Sequence, residues 1–407
     1  MTASKQISSR QASRRTSGNQ TAGRCQQSAA NRKTRPGAAS TTAAAKRGGS
    51  ARAAGQPRSK VRVGSPDGVL AVVPHLLGFY PSRSLVVLGL AGAKDRVKVA
   101  FRYDLPDPPD QSLAADIAEH AAGVLGRQQV KSAVVLGYGP DTLVAPVAGP
   151  VLNALIGAGM TIREVLRAEG GRYWSALCEN PACCPPEGVP YDPASHPASL
   201  TLAGSGMTVF PDRAALARTL QPAAGSTAAI RAAADRAVRR LAELTGASEA
   251  DGDVDPVQRA AEAGLRTVRQ ALTCYRTGGK IADIDQLAWL AVMVADLRVR
   301  DDAWARMDPA YRLAHQRLWT DVLRAAPAEF VPAPAALLAF TAWQSGDGAL
   351  ASVAIERALG ADPSYSMALL LADAIGGGLP PSAARLPMTP AEVAASYQPT
   401  AETADDR

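Results

Sequence analysis

Two short apolar runs, residues 84–90 and 131–136, constrain the fold of this chain more than any other feature. Each contains a cluster of Val and Leu, as is typical of a strand that is buried on both faces of a sheet. Around them the apolar residues return at helical spacing, for example over residues 113–125. Helices that alternate with buried strands predict a layered α/β domain, which we place at residues 61–222.

The sheet of this domain is predicted to be mixed in strand direction. Residues 96–103 alternate in polarity, which indicates a half-buried strand. Residues 164–168 and 172–177 flank Glu169-Gly170-Gly171, a sequence that favours a hairpin and therefore antiparallel neighbours. The remaining elements predicted here begin with a strand at 61–63 and a helix that starts at Ser65-Pro66-Asp67, continues over 69–77 and is kinked or ended by Pro74. A helix at 146–158 and a short last helix from about Pro211 follow.

Strand patterns disappear after Pro222, and residues 223–375 are predicted to form an all-helical domain. One apolar stripe at helical spacing comprises Ile230, Ala234, Val238 and Leu241. Further amphipathic helices are predicted over residues 265–272, 287–297, 311–323 and 335–343. Residues 376–407 are rich in Pro, Ala and Ser and end in acidic residues, so we expect a flexible C-terminus.

Residues 338–363 resemble a tetratricopeptide hairpin. Gly346-Asp347 falls at the turn, and Asp362-Pro363 closes the second helix. The packing positions of that helix are occupied by Ala351, Ile355 and Ala358-Leu359. The usual Trp-Leu-Gly triplet is missing, and Ala339 stands where its glycine would be. One such unit cannot bury its own apolar face, so the preceding helices must stack on it. The resemblance implies a helical domain that could contact a protein partner.

The charge of the chain is divided unevenly. Residues 1–60 hold 13 Lys or Arg and no Asp or Glu, whereas the other 347 residues hold 31 basic and 37 acidic side chains. A segment so poor in large apolar residues is predicted to stay disordered. One interpretation is a tail that binds nucleic acid non-specifically. The other is a solubilising extension, which could even result from a start codon assigned too far upstream. Binding that persisted after deletion of residues 1–60 would contradict the first interpretation.

The sequence predicts a cytoplasmic protein with no membrane contact. No run of about 18 apolar residues is present, as a membrane span would require, and the N-terminus lacks the apolar region of a secretory signal. Five cysteines without such a signal favour a reducing compartment.

Residues 61–375 as a whole resemble an uncharacterised family, a domain of unknown function found in actinobacteria. The segments that carry this resemblance are residues 73–79 (VPHLLGF), 84–89 (SLVVLG), 171–175 (GRYWS), 183–185 (CCP), 299–301 (VRD) and 346–350 (GDGAL), together with Cys178 and Trp304. The resemblance implies an actinobacterial cytoplasmic protein and no particular activity.

The most distinctive candidate site is a cysteine cluster. Cys178, Cys183 and Cys184 are followed twelve residues later by His196. Three thiols and one imidazole could hold a structural zinc ion, although adjacent cysteines seldom both reach one metal. The alternatives are a redox pair of neighbouring thiols and a set of buried cysteines that pack beside Trp174.

Four further residues are candidates for ligand binding. Gly137 and Gly139 end a buried strand, where α/β sheets place their ligands, although Thr142 stands where the last glycine of a phosphate loop would be. His75 could act as a base or contact a ligand, and Arg172 could join a polar pocket. The structural alternatives are a tight turn for the glycines, a hydrogen-bonded core position for His75 and aromatic stacking for Arg172.

Two functional hypotheses follow. In the first, the chain is a binding or scaffold protein, whose α/β half holds a small ligand or a structural metal and whose helical half contacts a protein partner. In the second, it is an enzyme of unrecognised type with its site at the carboxyl ends of the sheet strands. We find no Walker loop, nucleophile elbow or His-Glu-x-x-His motif, and their absence favours the first.

Overall fold

A computed structural model describes residues 64–92, 94–246, 255–383 and 388–398, together with the backbone of Gln26–Gln27. Within these ranges the chain forms a six-stranded mixed sheet with helices, followed by a helical half. The fold class predicted above, a layered mixed α/β domain followed by a tetratricopeptide-like helical domain, is therefore confirmed. The predicted strand at 61–63 and the basic tail lie outside the described residues, apart from the two-residue strand β1 (Gln26–Gln27).

The main sheet has the strand order β3-β2-β4-β5-β6-β7. Its strands are β2 (Ser84–Ala91), β3 (Arg96–Asp104), β4 (Ser132–Tyr138), β5 (Thr161–Glu169), β6 (Arg172–Ser175) and β7 (Val189–Pro190). The pair β4 and β5 is parallel, and every other neighbouring pair in the sheet is antiparallel. The ends of β3, β4 and β5 therefore meet at one sheet edge, together with the beginning of β2.

The two apolar runs form the centre of the sheet, as predicted. Every residue of β4 is buried, and so is every residue of β2 except the last. Alternate side chains of these strands face opposite sides, and each side needs a cover of its own. On one side, Leu85 and Val87 join a core with α2 (Gln111–Arg127) and α3 (Asp141–Gly157). This arrangement explains why both strands read as continuous apolar runs.

The other side of the sheet is covered by α1 (Pro66–Leu77) and by the helical half. Val86 and Leu88 share one hydrophobic cluster with α1 and with residues as distant as Leu371. The apolar core is therefore continuous across the predicted boundary at residue 222. Two short helices, α4 (Pro197–Gly204) and α5 (Arg213–Arg218), complete this half of the chain.

Two helices depart from their predicted shape. The helix α3 begins at Asp141 rather than at Pro146. Pro146 has no N–H to donate to the carbonyl of Thr142, four residues earlier. Both residues are exposed, so water can hydrogen-bond to that carbonyl and the proline is tolerated in the second turn. Pro74 lies inside α1 without ending it, and the helix stops at Gly78, which adopts a left-handed conformation with φ of 75°.

The β5–β6 hairpin forms as the sequence predicts. Glu169 pairs with Arg172 across the turn, and the two central residues, Gly170 and Gly171, have φ values of 57° and 76°. Two consecutive left-handed residues produce a tight turn whose twist matches that of the strands.

The helical half contains nine helices within the described residues. They are α6 (Thr227–Gly246), α7 (Pro256–Arg276), α8 (Ile284–Met293), α9 (Leu297–Ala305), α10 (Arg312–Arg324), α11 (Pro332–Gln344), α12 (Gly348–Ala361), α13 (Ser366–Gly376) and α14 (Pro390–Ser396). Between α7 and α8, the two-residue strand β8 (Gly279–Lys280) pairs with β1. No helix in the part of the chain described here is long and apolar enough to cross a membrane.

The tetratricopeptide-like hairpin consists of α11 and α12. Asp347 caps α12 by accepting a hydrogen bond from the backbone N–H of Leu350 at 3.0 Å. Ala351, Ile355 and Ala358 are buried between the helices, and α12 ends just before Asp362-Pro363. These features confirm the predicted turn, packing positions and closing residues.

Three details of the helical half differ from the pattern seen in the sequence. Val238 of the predicted stripe is 43% exposed, because α6 buries its alanine face through Ala233 and Ala237 instead. The helix α9 is separate from α8. The predicted flexible C-terminus contains α14, which begins with a reciprocal Thr389–Glu392 capping box and packs on α9.

Candidate functional site

The three cysteines of the loop after β6 converge in the structure. The sulfur atoms of Cys178, Cys183 and Cys184 all lie within 4.8 Å of one another. Cys183 is exposed and the other two are partly exposed, so none of them is the buried packing residue of the structural alternative. The geometry instead gives three thiols that are accessible to a solvent-borne ion.

A turn at Asn180 brings these thiols together. Its carbonyl accepts hydrogen bonds from the backbone N–H groups of Cys183 and Cys184 at 3.0 and 2.7 Å. Its side-chain oxygen accepts a third from Ala182 at 3.0 Å. This tight turn directs the side chains of both Cys183 and Cys184 towards Cys178. Adjacent cysteines seldom both reach one metal, and the turn removes this difficulty. Asn180 was not among the predicted site residues, although an Asn in a Pro-rich and Cys-rich loop is a recognisable turn signal.

Hydrogen bonds from Trp174 and Arg172 hold the far end of the loop against the hairpin. Trp174 donates a hydrogen bond from Nε1 to the Pro186 carbonyl at 2.9 Å, and the guanidinium of Arg167 lies 3.7 Å from the centre of its ring. Arg172 donates to the Gly188 carbonyl at 2.8 Å. Arg172 therefore anchors this loop, and the sequence did not indicate that it would do so.

The electrostatics of the cluster favour a cation. The thiol of Cys184 hydrogen-bonds to Cys178, which lowers the pKa of Cys178 and raises the pKa of Cys184 to about 12. A thiolate at Cys178 therefore opposes the deprotonation of Cys184. Glu164 adds to this repulsion at Cys178. A bound divalent cation would remove the repulsion and allow all three sulfurs to act as thiolates.

The distances suit a small thiophilic ion. A tetrahedral zinc ion with Zn–S bonds of about 2.3 Å places its sulfur ligands about 3.8 Å apart. The observed separations, all within 4.8 Å, need only a small adjustment of an exposed loop. Three protein ligands leave one coordination position, which water or another small ligand would occupy.

His196 does not join the thiols, although the sequence placed it among the metal ligands. Its Nδ1 accepts a hydrogen bond from the backbone N–H of Ala198 at 3.1 Å, so that it caps α4. Its Nε2 lies 3.6 Å from the carboxylate of Asp67 on α1. Both ring nitrogens are engaged in fixing α4 on α1. The twelve-residue spacing gave no indication of this contact, because Asp67 is distant in the sequence.

His75 is a buried residue of the same α1–α4 interface. Its Nε2 lies 2.8 Å from the hydroxyl of Ser199, and its side chain is 6% exposed. Burial lowers the pKa of His75, so the ring is neutral at pH 7. This geometry matches the structural alternative of a hydrogen-bonded core histidine.

The two glycines at the end of β4 have different roles. A Cβ atom at Gly137 would lie 2.2 Å from Cγ1 of Val144 on α3, so this glycine permits the helix to pack closely on the sheet. Gly139 has φ of 139° and donates its N–H to the Ala168 carbonyl at 3.0 Å. Both glycines are therefore accounted for by contacts within the protein.

Two clefts in the described part of the chain bear on the predicted ligand-binding residues. One, of about 470 Å³, lies at the sheet edge where the strands end and is lined in part by Arg102, Asp104 and Arg213. The other, of about 610 Å³, lies between the two halves of the chain. None of the four predicted ligand-binding residues lines either cleft, and ligand binding by them stays a prediction.

One further cysteine bears on the predicted reducing compartment. Cys274 in α7 is disulfide-bonded, whereas Cys178, Cys183 and Cys184 are free thiols. The reducing compartment therefore stays a prediction.

Comparison with known proteins identifies a family and nothing narrower. No curated protein and no solved structure is significantly similar to this chain. The model of one protein family, a domain of unknown function (DUF4192), matches residues 66–382, which span the sheet, the cysteine loop and the helical stack. The chain therefore belongs to the DUF4192 family.

Proposed function

We propose that this protein is a binding protein whose α/β half holds a zinc ion on the cysteine loop and whose helical half contacts a protein partner. The convergence of Cys178, Cys183 and Cys184 carries the metal part of the proposal. The ion would connect the two ends of the turn at Asn180 and stabilise a long exposed loop that has no helix of its own.

The metal proposal is tested by native mass spectrometry on the full chain, purified under reducing conditions with equimolar zinc. We expect one zinc ion per chain and its loss in Cys178→Ser, because two remaining thiols and solvent bind zinc far more weakly. The matched control is His196→Gln, which should keep its zinc because both nitrogens of His196 are engaged elsewhere. A bare mass for the parent, or zinc loss in His196→Gln, would contradict this site.

A second readout distinguishes three thiolate ligands from fewer. Cobalt added in place of zinc gives near-ultraviolet charge-transfer absorption that grows with the number of bound thiolates. Absorption that is unaffected by Cys183→Ser or Cys184→Ser would show that the adjacent cysteines do not both bind.

The partner part of the proposal concerns the exposed end of the helical stack. Leu369 and Leu370 are 42% and 66% exposed on α13, which packs on α11 and α12 and could extend the stack to a partner. We propose that a protein with a complementary apolar surface binds here.

This contact is tested by crosslinking the full chain in an extract of its source cells. The variant Leu370→Glu should reduce the yield of a specific adduct at least about tenfold, because an interface core excludes an unpaired charge. Leu200→Glu is the control, since Leu200 is 59% exposed in the α/β half. An adduct that Leu370→Glu leaves intact, or that both variants remove equally, would contradict the proposal.

A cytoplasmic location is also part of this proposal, supported by the free thiols of the loop. Recovery of the protein outside the soluble fraction of lysed cells would contradict it. The actinobacterial origin and the nucleic-acid-binding tail stay predictions. The enzyme hypothesis also stays a prediction: the cleft at the strand ends is polar, but Arg102 and Asp104 in it are paired with each other at 2.6 Å.

A further inference from the structure

The cleft between the two halves of the chain combines an apolar wall with charged residues. Its volume is about 610 Å³, within the range of pockets that bind small organic molecules. The apolar wall comes from both halves, and its residues include Ala217, Pro222, Ile230, Val331 and Val353. A ligand seated here would therefore contact α5 and α6 on one side and the tetratricopeptide-like hairpin on the other.

Most charges at this cleft are neutralised by the chain itself. Arg231 pairs with Glu329, and Glu356 pairs with Arg213. Each of these pairs leaves no net charge for a ligand to satisfy.

Arg357 is the exception among the described residues. Its guanidinium donates to the side-chain oxygen of Gln221 at 2.6 Å, and it has no carboxylate within salt-bridge distance in this part of the chain. Its Nε is buried without a hydrogen-bond partner. Burial lowers the pKa of Arg357, since a desolvated cation lacks a compensating charge, yet an arginine stays protonated in proteins. The cleft therefore carries one uncompensated positive charge.

We propose that this cleft binds a small organic anion with an apolar body and one acidic group, which pairs with Arg357. The acidic group supplies the missing counter-charge, and the body covers the apolar wall. A planar carboxylate or a tetrahedral phosphate or sulfonate meets the same donors. This site is independent of the zinc loop, and its test does not depend on zinc.

Two fluorescent probes that share one aromatic body test the proposal on the full chain. Anilinonaphthalene sulfonate carries one negative charge, and N-phenyl-1-naphthylamine is its neutral parent. Hydrogen bonds to charged groups are stronger than neutral ones. We therefore expect saturable binding of one sulfonate probe per chain, at least about tenfold tighter than that of the neutral probe. Equal affinities for the two probes would overturn the proposal.

Variants of Arg357 test whether this residue supplies the positive charge that pairs with the sulfonate. Arg357→Gln should abolish the preference for the charged probe, and Arg357→Lys should retain most of it. The matched control is Arg239→Gln, because Arg239 is exposed on α6 and lies outside the cleft. If Arg357→Gln fails to fold, the probe comparison with the parent and with Arg357→Lys still decides the matter. A preference that survives in folded Arg357→Gln would overturn the assignment.

Discussion

Replacing Asp302 by asparagine should lower the free energy of unfolding by about 3 kcal/mol, the largest effect that we expect from one polar substitution. The Asp302 side chain is 3% exposed and lies between two arginines. Arg306 donates to it at 2.7 and 3.0 Å, and Arg269 on α7 donates at 3.0 Å. Removing the charge leaves two guanidinium groups facing each other. Both arginines are partly exposed, which keeps the loss near the lower end of the range for buried ion pairs.

The measurement is urea unfolding of the full chain at pH 7. Asp285→Asn is the control, because Asp285 forms an exposed ion pair with Arg236 and its loss should cost no more than about 1 kcal/mol. If Asp302→Asn lowered the free energy of unfolding no more than Asp285→Asn does, the buried network would stabilise the protein no more than an exposed ion pair.

The same network sets a pH dependence. Burial by itself would raise the pKa of Asp302, but the hydrogen bonds and charges of Arg306 and Arg269 outweigh it and hold the pKa below the ordinary value of 3.8. The stabilisation is therefore fully present above pH 3.8 and is lost as the pH falls through the lower native value. The stability difference between Asp302→Asn and the parent should shrink in that acidic range.

Replacing Gly137 by alanine should destabilise the protein by about 2–3 kcal/mol. The added Cβ would lie 2.2 Å from Cγ1 of Val144, and Val144 is buried between α3 and the sheet and is 5% exposed. Neither the strand nor the helix can move aside without disturbing the core. The glycine is therefore required for packing.

The design that tests this account adds Val144→Ala to Gly137→Ala. The double variant should be more stable than the sum of the two single losses by at least about 1 kcal/mol, since the second change removes the clash. Gly149→Ala on the same helix is the control, because its Cβ would enter open space and should gain up to about 1 kcal/mol. A Gly137→Ala variant of unchanged stability would contradict the packing role of this glycine.

Most of the architecture could be predicted because it depends on local periodicity. The central strands, the hairpin at Gly170-Gly171 and the helical hairpin at Gly346-Asp347 all follow from patterns within a dozen residues. The exceptions also have local causes. Pro146 suggested a helix start, whereas an exposed proline is tolerated inside α3, and Val238 was assigned to a buried face that small alanines occupy.

The composition and spacing of the chain were sufficient to indicate its layers, the mixed character of its sheet, its helical second half and the three cysteines of its metal candidate. They could not indicate which distant groups meet. His196 faces Asp67 rather than the thiols, His75 meets Ser199, and Arg357 has no carboxylate partner in the cleft between the halves. Each of these contacts joins residues that lie more than a hundred positions apart in the sequence. They depend on how the helices dock on the sheet, which is a property of side-chain shape across the whole core rather than of any local pattern.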